Sequence, residues 1–194
     1  AFSGENFNAA VSAEDAIKKG ALAVIVEDKN FENQERNIFF VHSTLAFLQE
    51  LASYHRNHIK IPVIALTGSN GKTTTKEIIH AVLSQKYKVQ YTFGNLNNHI
   101  GVPLTLLSIK PEHELAVVEM GANHQKEIEL LCKIAQPNYG YITNFGKAHL
   151  EGFGGFEGVI KGKSELYDYL KTAEQTILVN ENDPIQTEKT ADYS

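Results

Sequence analysis

With 194 residues, 42% of them hydrophobic and 21% charged, the chain is long enough to bury a core without cross-links and too evenly mixed to be disordered. Its formal net charge of −5, with no cluster of Lys or Arg, argues against a nucleic-acid partner, and no apolar run reaches the roughly 18 residues that would insert in a membrane. Cys132 is the single cysteine, so no internal disulfide can form and a reducing cytoplasm is the expected setting.

The opening Ala1-Phe2-Ser3-Gly4-Glu5 lacks a methionine, and the polar residues 185–194 read as an unfinished helix, so a piece of a longer chain is expected. In VSAEDAIKKGALAVIVE, Ser12 and Asp15 fit a helix capping box, Gly20 a helix stop, and residues 21–26 a buried strand. A strand over 38–41 follows, then a helix begun by Ser43 and ending near Asn57, with Leu45, Leu48, Leu51 and Ala52 on one face. Pro62 disfavours continued helix, which places a domain boundary near residue 60. Beyond it the pattern predicts strand 63–66, helix 72–85, strands 88–92 and 115–119, helix 124–135, strand 139–143, helix 156–171 and strand 176–179. Such alternation predicts an α/β fold, a parallel sheet flanked by helices, whose ligands gather at the carboxyl ends of the strands.

Strand 63–66 leads into Thr67-Gly68-Ser69-Asn70-Gly71-Lys72-Thr73-Thr74-Thr75 and then an amphipathic helix, the setting that a phosphate-binding loop requires. Glycines let successive N–H groups turn toward phosphate oxygens, the helix N-terminus adds partial positive charge, and Lys72 can reach the β and γ phosphates of ATP. Thr67, Gly68, Ser69, Asn70, Gly71, Lys72, Thr73 and Thr74 are therefore the candidate nucleotide-binding residues, with the Thr73 hydroxyl offered to Mg²⁺. The common G-x-x-x-x-G-K-[ST] spacing would need glycine at position 66, where this chain has Leu66. Glu119, after the apolar run Leu115-Ala116-Val117-Val118, puts a carboxylate at a strand's carboxyl end beside the loop, where it suits Mg²⁺.

The shortened loop resembles that of the Mur ligases and their folate-polyglutamylating relatives, ATP-dependent amide-bond formers with three domains. The stretches Gly94-Asn95-Leu96-Asn97-Asn98-His99-Ile100-Gly101-Val102-Pro103-Leu104-Thr105 and Glu119-Met120-Gly121-Ala122-Asn123-His124 are similar to those of the family member that joins D-alanyl-D-alanine to UDP-N-acetylmuramoyl-tripeptide. The stretch Ile142-Thr143-Asn144-Phe145-Gly146-Lys147-Ala148-His149-Leu150-Glu151-Gly152-Phe153-Gly154 resembles the family's histidine loop, and Lys163-Ser164-Glu165-Leu166-Tyr167 its modified-lysine helix. Gly4-Glu5-Asn6-Phe7-Asn8 resembles part of its N-terminal domain, although Ala9-Ala10-Val11 then follows where the family carries a glycine-containing loop. The resemblance implies a partial N-terminal UDP-substrate-binding domain over residues 1–60, a partial central ATP-binding domain over 61–194 and no C-terminal domain. It further implies a bacterial cytoplasmic enzyme of peptidoglycan-precursor synthesis, expected as a monomer, of which this fragment alone is inactive.

The chemistry so implied turns the tripeptide carboxylate into an acyl phosphate at the expense of ATP, after which the amine of D-alanyl-D-alanine displaces phosphate. Such a site needs divalent metal near the γ phosphate. On this reading Lys72, Glu119, His149 and Lys163 are the catalytic residues, and Thr73, Glu119, His149 and Lys163 the ligands of Mg²⁺. The pattern K-x-x-L-[YF] selects Lys163 over Lys161. In the family this side chain reacts with CO₂ to give a carbamate, and two carbamate oxygens satisfy a hard cation where an ammonium cannot. Asn97, Asn98 and His99 are candidate substrate contacts, the two asparagines being equally suited to shaping a turn. His124 reads as the start of a helix at Gln125. A sister ligase that adds a single amino acid, or a folylpolyglutamate synthase relative, is the nearest alternative. A non-ligase phosphate-loop ATPase or an inactive nucleotide-binding fragment is the alternative of another class, and Glu119 together with Lys163 speaks against the former.

Overall fold

The computed structural model describes residues 1–4 and 6–193. Glu5, within the stretch that resembles an N-terminal domain, and Ser194, at the end of the expected last helix, lie outside the described residues. The chain divides into two compact units, Ala1–Glu50 and Leu51–Ser194.

In the first unit, β1 (Ser3–Gly4) and β2 (Phe7–Asn8) pair antiparallel and lead into a 3₁₀ turn and helix α1 (Ala13–Lys18). The expected capping box does not form: a capping side chain needs an extended backbone, and Ser12 is already turned at φ −94°, ψ 5°. Asn8 caps the turn instead, its Oδ1 accepting from the Ala10 N–H at 2.9 Å. The chain then forms β3 (Val24–Val26), parallel to β4 (Ile38–Phe40) with Val24 opposite Ile38. The strand expected from residue 21 starts three residues later because its three-residue partner pairs with nothing earlier, and Leu22 is left 91% exposed. Helix α2 (Thr44–His58) starts on Ser43, whose Oγ accepts from the Ala46 N–H, but Leu51 is exposed and Ala52 carries the buried stripe.

In the second unit, β5 (Val63–Thr67), α3 (Lys72–Leu83), β6 (Val89–Tyr91), α4 (Gly101–Leu107), β7 (Leu115–Glu119) and α5 (Glu127–Ala135) come first. They are followed by β8 (Tyr139–Ile142), α6 (Leu150–Phe153), α7 (Phe156–Thr172), β9 (Thr176–Leu178) and α8 (Pro184–Thr190). The five strands form one parallel sheet in the order β6-β7-β5-β8-β9. Its central strands are covered on both faces, which is why β5 and β7 read as continuous apolar runs rather than alternating ones. Val63, Ala65, Val118, Ile128, Leu131, Ile142, Leu166 and Leu170 share the core. Among the described residues no helix is long and apolar enough to cross a membrane.

The stretch around Asn97 and Asn98 is not wholly loop. Asn98 Oδ1 accepts from the N–H groups of Ile100 and Gly101 and so opens α4, where Pro103 sits within the first turn and its missing donor costs no intrahelical bond. Helix α5 begins at Glu127 rather than near His124. Lys126 adopts a left-handed backbone (φ 72°), and the Glu165 carboxylate on α7 takes the N–H groups of Lys126 and Glu129 at 2.6 and 2.9 Å. At the opposite end of the sheet the buried Arg56 donates to the carbonyls of Ala135, Gln136, Ile59 and Ile61 and to Asn138 Oδ1, tying the connection before β5 to the end of α5.

Candidate nucleotide and metal site

Register fixes the geometry. Leu66 of β5 lies opposite Glu119 of β7, and Thr67 opposite Ile142 of β8, so the loop after β5 emerges between two strand ends that carry polar residues. Thr67 is fully buried and anchors the loop's start by donating its hydroxyl to the Met120 carbonyl at 2.7 Å. Gly68 (φ 142°) then runs against Thr143: a Cβ there would stand 2.0 Å from Thr143 Oγ1 and 3.0 Å from Thr143 N. Gly71 (φ 75°) turns the chain into α3.

The loop is splinted by the segment after β8. The Ser69 N–H and hydroxyl donate to the carbonyls of Asn144 and Gly146, while Asn70 exchanges bonds with the Asn144 side chain and accepts from the Thr143 hydroxyl at 2.7 Å. Lys72 folds back, its ammonium donating to the Gly68 and Ser69 carbonyls at 2.9 and 3.4 Å. Burial lowers the Lys72 pKa and the nearby Glu119 opposes that shift. Thr73 and Thr74 are exposed in the first turn of α3.

Glu119 is 1% exposed. Its Oε1 accepts from the Thr73 hydroxyl at 3.2 Å and from the Asn97 amide at 2.7 Å, whereas its buried Oε2 has no hydrogen-bond partner. A buried carboxylate oxygen without a donor is costly, and its lone pairs suit a divalent cation. Asn97 therefore holds Glu119, and Asn98 Oδ1 holds α4, so both asparagines have structural work irrespective of substrate.

Lys72, Asn97, Asn98, His99 and His149 line one cavity of about 450 Å³ at the carboxyl ends of the strands, together with Asn123 and Glu127. His149 is exposed there, in a left-handed conformation (φ 55°) that starts α6. Behind the Ala122 and Asn123 wall, Lys163 is 1% exposed and donates to the Ala122 carbonyl at 3.1 Å, its ammonium 5.1 Å from the centre of the Phe153 ring. Burial, with repulsion from Lys72, pulls the Lys163 pKa down to about 8, against the upward pull of Glu127 and Glu165. A helix glycine pair makes this arrangement possible: a Cβ at Gly158 would stand 1.8 Å from the Phe153 carbonyl oxygen, and one at Gly162 would stand 2.4 Å from the Phe153 ring. His124 is exposed beside Glu127, which accepts from the N–H groups of Asn123 and His124.

Neither His149 nor Lys163 hydrogen-bonds to Glu119, and among the described residues no three His, Cys, Asp or Glu side chains converge to hold a metal by themselves. The residues do fit a cation that also draws on nucleotide oxygens, because Glu119 keeps its Oε2 free while its Oε1 holds the Thr73 hydroxyl at the start of α3. Lys76 was not legible as a site residue in a T-T-T-K-E run that reads as a solvated helix face, yet it is wholly buried beside Glu119. A larger cavity of about 560 Å³ lies at the amino ends of the strands, around Arg56 and Asn138, away from these groups.

The model of the Mur ligase middle domain matches residues 66–193. The chain belongs to the Mur ligase family. Among curated Mur ligases it is 43% identical over 170 residues to the UDP-N-acetylmuramoyl-tripeptide–D-alanyl-D-alanine ligase of Bacillus subtilis, covering 87% of this chain and 37% of that protein. The Escherichia coli enzyme of the same name is 44% identical over 170 residues, covering 88% of this chain and 37% of that protein. The crystal structure of MurF from Acinetobacter baumannii superposes with a TM-score of 0.86 at 40% identity, over 98% of this chain and 42% of that one. The MurF ligase of Thermotoga maritima in complex with ADP gives a TM-score of 0.77 at 37% identity, over 87% of this chain and 39% of that one. This Mur ligase chain thus spans well under half the length of the relatives it matches.

Proposed function

We propose that the chain carries the nucleotide- and metal-binding part of an ADP-forming ligase that adds D-alanyl-D-alanine to UDP-N-acetylmuramoyl-tripeptide in the bacterial cytoplasm. The observation that carries this reading is Glu119, with one oxygen held by Thr73 and Asn97 and the other buried and unpartnered beside the phosphate loop. Relatives of that name at 43–44% identity and an ADP complex of a MurF at 37% identity support the substrate and nucleotide assignments.

In this reading residues 1–60 bind the UDP-linked substrate and residues 61–194 bind ATP. The N–H groups of residues 68–74 cradle the phosphates, and Lys72 leaves the Gly68 and Ser69 carbonyls to reach the β and γ phosphates. A carboxylate oxygen of the tripeptide attacks the γ phosphorus and ADP leaves; the D-alanyl-D-alanine amine then attacks the acyl carbon, loses its proton and expels phosphate. Glu119, Thr73, His149 and the carbamate of Lys163 would hold Mg²⁺, which would neutralise charge on the transferring phosphoryl group. Carbamate formation needs a neutral amine, and the lowered Lys163 pKa of about 8 supports that role by making one accessible. Asn97, Asn98 and His99 border the cavity where the peptide would lie.

The test is phosphate release by the full-length protein in the presence of ATP, UDP-N-acetylmuramoyl-tripeptide and D-alanyl-D-alanine. Release is expected only when both substrates are present. Release with neither, or with a free amino acid in place of the dipeptide, would overturn the assignment.

A further inference from the structure

We propose that Lys76 is a positioning residue that holds Glu119 in place while leaving its Oε2 uncapped for a divalent cation. The inference rests on the metal role proposed for Glu119 and concerns how that carboxylate is kept ready. Lys76 lies on α3, one turn beyond Lys72, and none of its side chain is exposed. A buried ammonium is stable only where its protons find acceptors, and it has three to place.

Two go to backbone. The Lys76 ammonium donates to the carbonyls of Thr92 and Gly94 at 2.7 and 2.9 Å, gripping the chain as it leaves β6. The Tyr91 ring lies 5.5 Å away and shields the same ammonium. The chain so gripped is the one that holds Glu119: the Thr92 hydroxyl accepts from the Glu119 N–H at 3.0 Å, and three residues beyond Gly94, Asn97 donates to Glu119 Oε1. Asn97 is fixed in turn by accepting from the Gly121 N–H at 2.7 Å. Lys76 thus pins both ends of the frame around the carboxylate to the helix that begins at the phosphate loop.

The ion partner of the ammonium is what leaves Oε2 open. Glu77 Oε1 stands 2.9 Å from the Lys76 ammonium, whereas Glu119 Oε2 is 3.9 Å away, too far for a hydrogen bond and close enough for charge attraction. The half-exposed Glu77 therefore holds the ammonium as its nearer ion partner, away from Glu119 Oε2. The arrangement balances the buried carboxylate before a cation arrives without filling its coordination direction.

The test measures ADP affinity of this chain by calorimetry, with Mg²⁺ and with EDTA, for the parent, Lys76→Met and Glu77→Ala. The parent is expected to bind ADP more tightly with Mg²⁺, and if it does not, the metal role of Glu119 fails rather than that of Lys76. Lys76→Met is expected to lower the Mg²⁺ enhancement by about tenfold, about 1.4 kcal/mol, with ADP affinity in EDTA changed by no more than about twofold. Glu77→Ala removes the nearer ion partner, lets the ammonium approach Oε2 and is expected to reduce the same enhancement by about threefold. Equal losses with and without Mg²⁺ in Lys76→Met would reduce Lys76 to a structural bolt and overturn the proposal, as would an unchanged enhancement. If Lys76→Met does not fold, Glu77→Ala decides alone: a selective loss supports the proposal, and parent-like enhancement overturns it.

Discussion

Replacing Gly68 by alanine is the most direct test of how the phosphate loop is held. At φ 142° an L-residue is strained, which costs on the order of 1–3 kcal/mol. The added methyl would also meet Thr143 Oγ1 at 2.0 Å, so the threonine must rotate and give up its bond to the Asn70 carbonyl, about 1 kcal/mol more. The Thr143 backbone nitrogen, 3.0 Å away, belongs to the β5–β8 ladder through its bond to the Thr67 carbonyl and has little room to yield. Together these give about 2–4 kcal/mol, and if only the splinted loop grips phosphate, ADP affinity falls on the order of 30- to 1,000-fold. Calorimetric titration with ADP measures it. A double variant, Gly68→Ala with Thr143→Ala, removes the side-chain clash alone and should recover only part of the loss. Gly68→Ala binding ADP within about threefold of the parent, with the same melting temperature, would refute the reasoning.

Other expectations follow the same logic. Lys163→Ala in the full-length protein should abolish phosphate release while leaving ADP binding within a few-fold, and equal loss of both would count against its proposed role. Arg56→Met should strand the carbonyls that its guanidinium now serves, costing about 3 kcal/mol and roughly 6–12 °C in Tm by calorimetry; a drop under about 2 °C would show that water replaces it. Gln186→Leu should cost about 2–3 kcal/mol in thermal unfolding, because the Asn180 N–H, the Tyr167 hydroxyl and the Ile142 carbonyl all lose their shared partner. Glu127 titrates below the ordinary carboxylate range: burial pushes its pKa up, but the N–H groups of Asn123 and His124 outweigh that. A folded-state pKa below the unfolded one adds stability above the ordinary glutamate range, lost as pH falls through the folded value. The parent should thus exceed Glu127→Gln in stability near neutral pH and converge with it in acid; a gap independent of pH would exclude the carboxylate as the cause.

What the sequence disclosed about this fold is tied to period and punctuation. The apolar runs of β5 and β7, the Gly68 and Gly71 turn and the strand-end position of Glu119 each follow from local pattern, and the sheet places them where such patterns should lie. Local rules failed where a partner distant in the chain decides. Helix α5 starts at Glu127 because Glu165, 38 residues later, takes the exposed N–H groups, and Ser12 forgoes its cap because the preceding turn is already wound. Asn98 was legible either as a turn former or as a substrate contact, and its Oδ1 opens α4. Lys76 and the Gly158–Gly162 pair carry their meaning only in three dimensions, the first through backbone carbonyls 16 and 18 residues away, the second through the space that Phe153 fills. A pair of glycines four apart on a helix that also carries Lys163 was the one available signal for that close approach.

The bonds between Ser69, Asn70 and the Thr143–Gly146 segment are made entirely by the chain's own groups, so much of the ordering that phosphate capture demands is supplied by the fold itself. Such preorganisation moves conformational entropy out of the binding step, leaving chiefly the swing of the Lys72 side chain to be set by the ligand. It also makes the nucleotide loop and the loop bearing His149 one mechanical unit. A substitution on either side of Asn144 will register at both, so nucleotide affinity and the placement of that histidine are constrained to vary together.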